Sequence, residues 1–180
     1  MAGYCSVAIG HLVHGPFHDD EHGVRPEGEA GLFERLLLEI NQAGLSWEIV
    51  LRKREGLRAG YRNYEIDRVA AFGEADRARL RADPGVIRNR LKIEAAIANA
   101  RVIQGMRLEY GSFGGWLDAH HPRELPEWTR LFRGTFSFVG GEIVREFLEG
   151  TGYLPGAHSE ECPRYPGWMA TRPRWTEGSS

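Results

Sequence analysis

Apolar residues in the first half of the chain recur at helical spacing. From Glu29 to Ala43, Phe33, Leu36, Leu37 and Ile40 stand three and four positions apart, and Gly44 follows as a stop. Ser46 to Leu57 predicts a second helix, with Ser46 as N-cap and Ile49, Val50 and Leu57 as its apolar stripe. Shorter helices are expected over Asp67–Phe72 and Ala75–Ala82. A long one is expected from about Asn89 to Tyr110, with Ile93, Ala96, Ile97, Ala100 and Ile103 on one side. Phe113–His120, Trp128–Phe132 and Glu142–Glu149 complete the set. Alternation of the strand kind is scarce, with "TFSFVGG" its best instance. The pattern predicts one all-α domain over residues 1–170, with irregular ends at 1–27 and from Gly150, and a flexible tail at 171–180.

The junction between the first two helices departs from this order. "EINQAGLSWEIVLRKRE" places Leu45 and Trp47 where a helix–helix connection is usually polar, with Glu39 one turn before the stop. On a helical wheel Glu39 neighbours Leu32, Leu36 and Ala43. A carboxylate against apolar groups can receive a buried ligand or act as a general base, and a flank residue paired with Arg35 is the plainer reading. Trp47 and Phe17 offer aromatic faces that could sandwich a nucleobase, although most tryptophans are core. "FSFVGGEIVREF" sets Gly140 and Gly141 before a helix start. Glycines there permit positive φ, and the amides that follow can hold a phosphate, whereas many such turns only reverse the chain. "RNRLK", Arg88 to Lys92, is either a solvated face or a contact for a DNA backbone.

Composition narrows the class. The balance of 23 basic and 25 acidic residues gives no global footprint for nucleic acid, so any such role needs a local patch. No apolar run spans a membrane, and "MAGYCSVAIG" lacks the marks of a signal peptide, so a cytoplasmic protein is expected. In a reducing compartment a disulfide between Cys5 and Cys162 is not expected. Cys5 and His18 near one end, with His158 and Cys162 spaced H-x3-C near the other, suit a tetrahedral zinc ion that would fasten both ends. Two unrelated pairs are the alternative, and His14 and His22 are rival ligands.

Taken together, these segments resemble the 3-methyladenine DNA glycosylase I family, the Tag type of helix-hairpin-helix glycosylases. "HDDEHGV", "QAGLSWEIVLRKRE", "GVIRNRLKIEAAIANA" and "FSFVGG" occur in the family's order, from about Cys5 to Cys162. The resemblance implies a helix-hairpin-helix glycosylase-like domain that acts as a monomer on double-stranded DNA, excising alkylated purines in base excision repair. It implies a structural zinc on Cys5, His18, His158 and Cys162. Glu39 would contact the polar edge of an extruded base, and Trp47 would stack on it. Leu45, helped by Gln42 and Gly44, would plug the gap left in the duplex. The hairpin of Phe138, Val139, Gly140 and Gly141 would hold a phosphate. Phe17 and His14 stand where the family has pocket tyrosines, and His22 and Val7 where it has tryptophans; Glu142 replaces an uncharged residue. These changes motivate two alternatives, a glycosylase for a different or bulkier alkyl lesion and a damaged-DNA-binding module that does not cut. A zinc-fastened helical interaction protein without a DNA role is a weaker third.

Overall fold

The computed structural model describes residues 3–178. Its twelve α-helices are α1 (Tyr4–Ala8), α2 (His14–Asp20), α3 (Gly28–Gln42), α4 (Trp47–Arg52), α5 (Arg54–Gly60), α6 (Ile66–Ala70), α7 (Glu74–Ala82), α8 (Arg90–Tyr110), α9 (Phe113–His120), α10 (Leu125–Thr135), α11 (Gly141–Gly150) and α12 (Tyr165–Ala170). There is no strand among the described residues, so the all-α expectation holds. No helix among them is long and apolar enough to cross a membrane.

The centre of the fold is α3. Leu32, Phe33, Leu36, Leu37, Leu38 and Ile40 are all buried, which covers nearly every side of the helix. It packs against α4, α8, α9 and α11. The buried Glu34 on the same helix is paired with Arg54 at 2.8 Å and Arg58 at 3.1 Å, as a carboxylate in a core must be. Its far end is closed from another helix. Lys92 of α8 donates from Nζ to the carbonyls of Asn41 (2.8 Å) and Ala43 (2.6 Å), two of the acceptors that a helix C-terminus leaves without partners. Gly44 then takes φ 77°, a conformation that favours glycine, and turns the chain into α4. Ser46 caps α4 by accepting from the Ile49 amide.

The helix expected over Ser46–Leu57 is broken at Lys53 into α4 and α5. At Gly56 the backbone of Gly85 lies so close that a Cβ would stand 2.3 Å from its carbonyl oxygen. Packing of α5 on that turn therefore decides its path, which local periodicity does not encode. The segment expected over Trp128–Phe132 is the full helix α10, entered through Pro126.

The ends also differ from expectation. Residues 1–27 and those after Gly150 contain α1, α2 and α12, all under eight residues and so without a long periodic signal. Part of the tail at 171–180 is tied down: Arg174 and Tyr153 both reach Asp118, and the Trp175 amide donates to the Gly152 carbonyl. Residues 179–180 lie outside the described residues. "TFSFVGG" is a turn between α10 and α11 rather than a strand. It is held to α8 by the buried Asn99, which donates to Ser137 O (3.1 Å) and accepts from Ser137 N (2.7 Å). The left-handed residue of this turn is Phe138 (φ 61°), not a glycine; Gly140 (φ −109°) is the N-cap of α11.

Candidate functional site: an acid-and-aromatic cavity beside a thiol–imidazole cluster

Between α1, α2, α3, α4 and the start of α11 lies a cavity of about 610 Å³. The inner wall comes from α3 and α4, which bring Glu39, Gln42 and Trp47. The outer wall comes from Tyr4, Phe17 and His22. Gly140, Gly141, Glu142 and Glu146 close the third side. A Cβ at Gly140 would meet nothing within 4 Å, so the first amides of α11 stand beside open space.

Glu39 is held at the base of this cavity by the burial of its neighbours on α3. Arg35, one turn before it, does not serve as its partner. Its guanidinium donates to the carbonyls of Glu21 and Gly150 and lies 4.3 Å from the centre of the Phe17 ring. Burial therefore dominates, and the charges of Glu146 and Glu142 add to it. Together they push the Glu39 carboxyl up to about 8 despite the opposing Arg35 charge. Burial raises Glu146 as well. Glu142 is turned towards Arg145, with 2.5 Å between oxygen and nitrogen, which offsets its charge at the head of α11.

The aromatic residues do not form parallel plates. Phe17 and Trp47 meet edge to face, with centroids 5.1 Å apart and planes at 73°. A base sandwiched between them would need roughly 7 Å, two carbon contacts of about 3.5 Å each. The slot imagined from the sequence is therefore absent; a planar ligand would lie on one ring and against the edge of the other. His22 is buried on the cavity wall. His14 is buried behind it, with Nδ1 3.2 Å from the Tyr4 hydroxyl. Tyr4, Glu146, Asn99 and the capping role of Lys92 escaped sequence reasoning. Only Lys92 carried a signal, inside a basic cluster, and its side chain is buried rather than solvated.

Outside the cavity, Leu45 projects from the α3–α4 turn with 37% of its surface exposed, and Phe138 is 38% exposed. Leu45 and Ile49 share a depression with Lys53, Arg81 and Arg88. Apolar tips and cations thus stand on one surface, although the chain as a whole is acidic.

Behind the outer wall, Cys5, His18, His158 and Cys162 converge, all buried. Cys5 Sγ is 3.8 Å from His158 Nδ1. Cys162 Sγ is 3.6 Å from both His18 Nε2 and His158 Nδ1. A tetrahedral ion with metal–sulfur bonds of about 2.3 Å and metal–nitrogen bonds of about 2.0 Å sets sulfur and nitrogen about 3.6 Å apart, so the spacing fits a metal. The other ring nitrogens are also arranged for it. His18 Nδ1 meets Asp19 at 2.8 Å, and His158 Nε2 meets the His22 carbonyl at 3.0 Å, which aims a lone pair from each ring at the centre. The rivals, His14 and His22, stand outside this group.

Residues 11–127 match the methyladenine glycosylase family model. The chain is 37% identical to DNA-3-methyladenine glycosylase 1 of Escherichia coli (strain K12), over 84% of this chain and 90% of that protein. It is 30% identical to the DNA-3-methyladenine glycosylase of Haemophilus influenzae, over 82% and 89%. A structure of 3-methyladenine DNA glycosylase I (TAG) from Staphylococcus aureus superimposes with a TM-score of 0.80 at 28% identity, covering 89% of this chain and 95% of that one. The chain belongs to the methyladenine glycosylase family, as a 3-methyladenine DNA glycosylase I of the Tag type.

Proposed function

We propose that this protein hydrolyses the N-glycosidic bond of N3-alkylated adenine in double-stranded DNA and leaves an abasic site, the first step of base excision repair. The observation that carries the reading is the carboxyl of Glu39 at the base of an aromatic cavity whose mouth adjoins an apolar and cationic surface. An alkylated purine in DNA is cationic and already a good leaving group, so selective capture does most of the work. Trp47 supplies a face for the extruded base, with the edge of Phe17 against it, and π faces attract a cation. The arriving positive charge favours the ionised form of Glu39, which gives up its proton and accepts from the polar edge of the base. Water then takes the place of the base at the sugar carbon and gives up one proton to the solvent, and the bonding pair leaves with the base, which departs neutral.

The other roles follow from position. Leu45 fills the gap in the duplex, with Gln42 and Gly44 beside it. Phe138, Val139, Gly140 and Gly141 form the hairpin of a helix-hairpin-helix unit made with α10 and α11, whose first amides take a phosphate. Lys53, Arg81 and Arg88 face the backbone. Zinc on Cys5, His18, His158 and Cys162 would have no open position, so it would fasten the two ends and take no part at the base. The protein acts as a monomer in the cytoplasm.

The test is to incubate the protein with methylated DNA and separate the released bases by chromatography. The expected result is release of 3-methyladenine that falls by at least about 100-fold in Glu39→Gln. Binding of the DNA without release of any base would leave a non-cutting damage sensor. A second reading, a bulkier adduct as the preferred lesion, has one observation in its favour. The 610 Å³ cavity is in the range that holds drug-sized ligands. Comparing methylated with larger alkyl adducts in the same assay decides it.

A further inference from the structure

Tyr4 stands in the outer wall of the cavity, one residue before the cluster cysteine Cys5. Its hydroxyl oxygen is 3.1 Å from Trp47 Nε1 and 3.2 Å from His14 Nδ1. An indole N–H only donates, so the Tyr4 oxygen is the acceptor in the first bond. The tyrosine's own proton is then free to go to His14 Nδ1, which gives the buried imidazole a defined tautomer. The three side chains form a donor chain from Trp47 through Tyr4 to His14. Its ring is held on two further sides, edge to face with Phe17 at 6.4 Å and with His22 at 5.1 Å.

We propose that Tyr4 is a positioning residue for base recognition, its hydroxyl fixing the plane of the Trp47 indole on which the extruded base lies. A tryptophan at the mouth of a cavity has two side-chain torsions to settle, and Trp47 is only partly buried. The bond to Tyr4 fixes both, because it sets where the indole nitrogen must point. This wall has no other hydroxyl, since Phe17 carries none. The N-terminal segment therefore contributes more than a lid: it orients the stacking residue on the opposite wall. The inference rests on the glycosylase reading above.

The experiment is a double-mutant cycle of Tyr4→Phe and Trp47→Phe, read by excision kinetics on methylated DNA and by inhibition with free 3-methyladenine. Tyr4→Phe keeps the ring and loses one hydrogen bond. It should raise KM and the inhibition constant about five- to tenfold, with kcat within about twofold. The Trp47 indole N–H resonance in the NMR spectrum should move upfield as its acceptor is lost. In the Trp47→Phe background, where no indole donor exists, Tyr4→Phe should add almost nothing. Equal losses in both backgrounds overturn the proposal, because they mean Tyr4 acts through packing alone. So does an indole resonance indifferent to Tyr4→Phe. A wild-type protein that releases no base overturns both this inference and the glycosylase reading; one that releases base while Tyr4→Phe matches it in KM and inhibition constant overturns only the inference.

Discussion

The two main walls of the cavity are built by different means. The inner wall belongs to α3 and α4, where Leu36, Ile40 and Val50 are fully buried and the helix end is closed by Lys92. Apolar burial holds the helices that carry Glu39 and Trp47, and leaves the indole plane to the bond with Tyr4. The outer wall belongs to α1 and α2, five and seven residues long, with only Cys5, Ala8, His14, Gly15, Phe17 and His18 buried. Helices this short are marginal without help. Here the help is chemical: two thiols and two imidazoles at the spacing of a metal site. A wall made of little apolar surface needs directed bonds throughout; a wall made of core needs them only at its edges, at the Lys92 cap and the Trp47 indole.

That contrast can be broken most sharply at the thiol–imidazole cluster. Replacing His158 with Ala, or removing with a chelator the metal proposed for the cluster, should cost about two orders of magnitude in excision while circular dichroism keeps most of the helical signal. Full activity in metal-free protein would show that the outer wall stands unaided. The inner wall is tested at its cap. Lys92→Met leaves the carbonyls of Asn41 and Ala43 without their charged donor and should lower stability by about 2–3 kcal/mol in urea unfolding, with metal content unchanged. An unchanged midpoint would mean water replaces the ammonium at no cost.

The last test concerns pH. The Glu39 carboxyl is raised from its ordinary 4.5 to about 8 in the folded protein. The unfolded chain therefore loses this proton first. The favourable contribution of the protonated form is complete below 4.5 and is lost as pH rises through about 8. Glu39→Gln should remove that part of the slope, so its melting temperature relative to wild type should rise between pH 5 and pH 8. A constant difference across that range would mean that the carboxyl is solvated.

Much of the inner wall was legible in the sequence. The three- and four-residue spacing of Phe33, Leu36, Leu37 and Ile40 announces α3, and the oddness of Leu45 and Trp47 in a turn marks the site. Spacing alone left His14 and His22 as rivals to Cys5, His18, His158 and Cys162; the family resemblance picked out these four, and the structure brings them together. The outer wall was not legible. Tyr4 precedes Cys5 in a five-residue helix with no period to read, and its bond to Trp47 joins residues far apart in the chain. Phe138 was misjudged for a related reason. Two glycines advertise positive φ, yet the bonds from Asn99 to Ser137 put the left-handed residue next door.

The cysteines carry one more consequence. Electrophiles that alkylate adenine also attack sulfur, and this chain has only two thiols. Both are buried, and a bound ion would engage their lone pairs as well. The softest nucleophiles in the molecule are thus the least available to the reagents whose damage it removes. A repair enzyme working amid alkylating agents keeps its own most vulnerable atoms out of their reach.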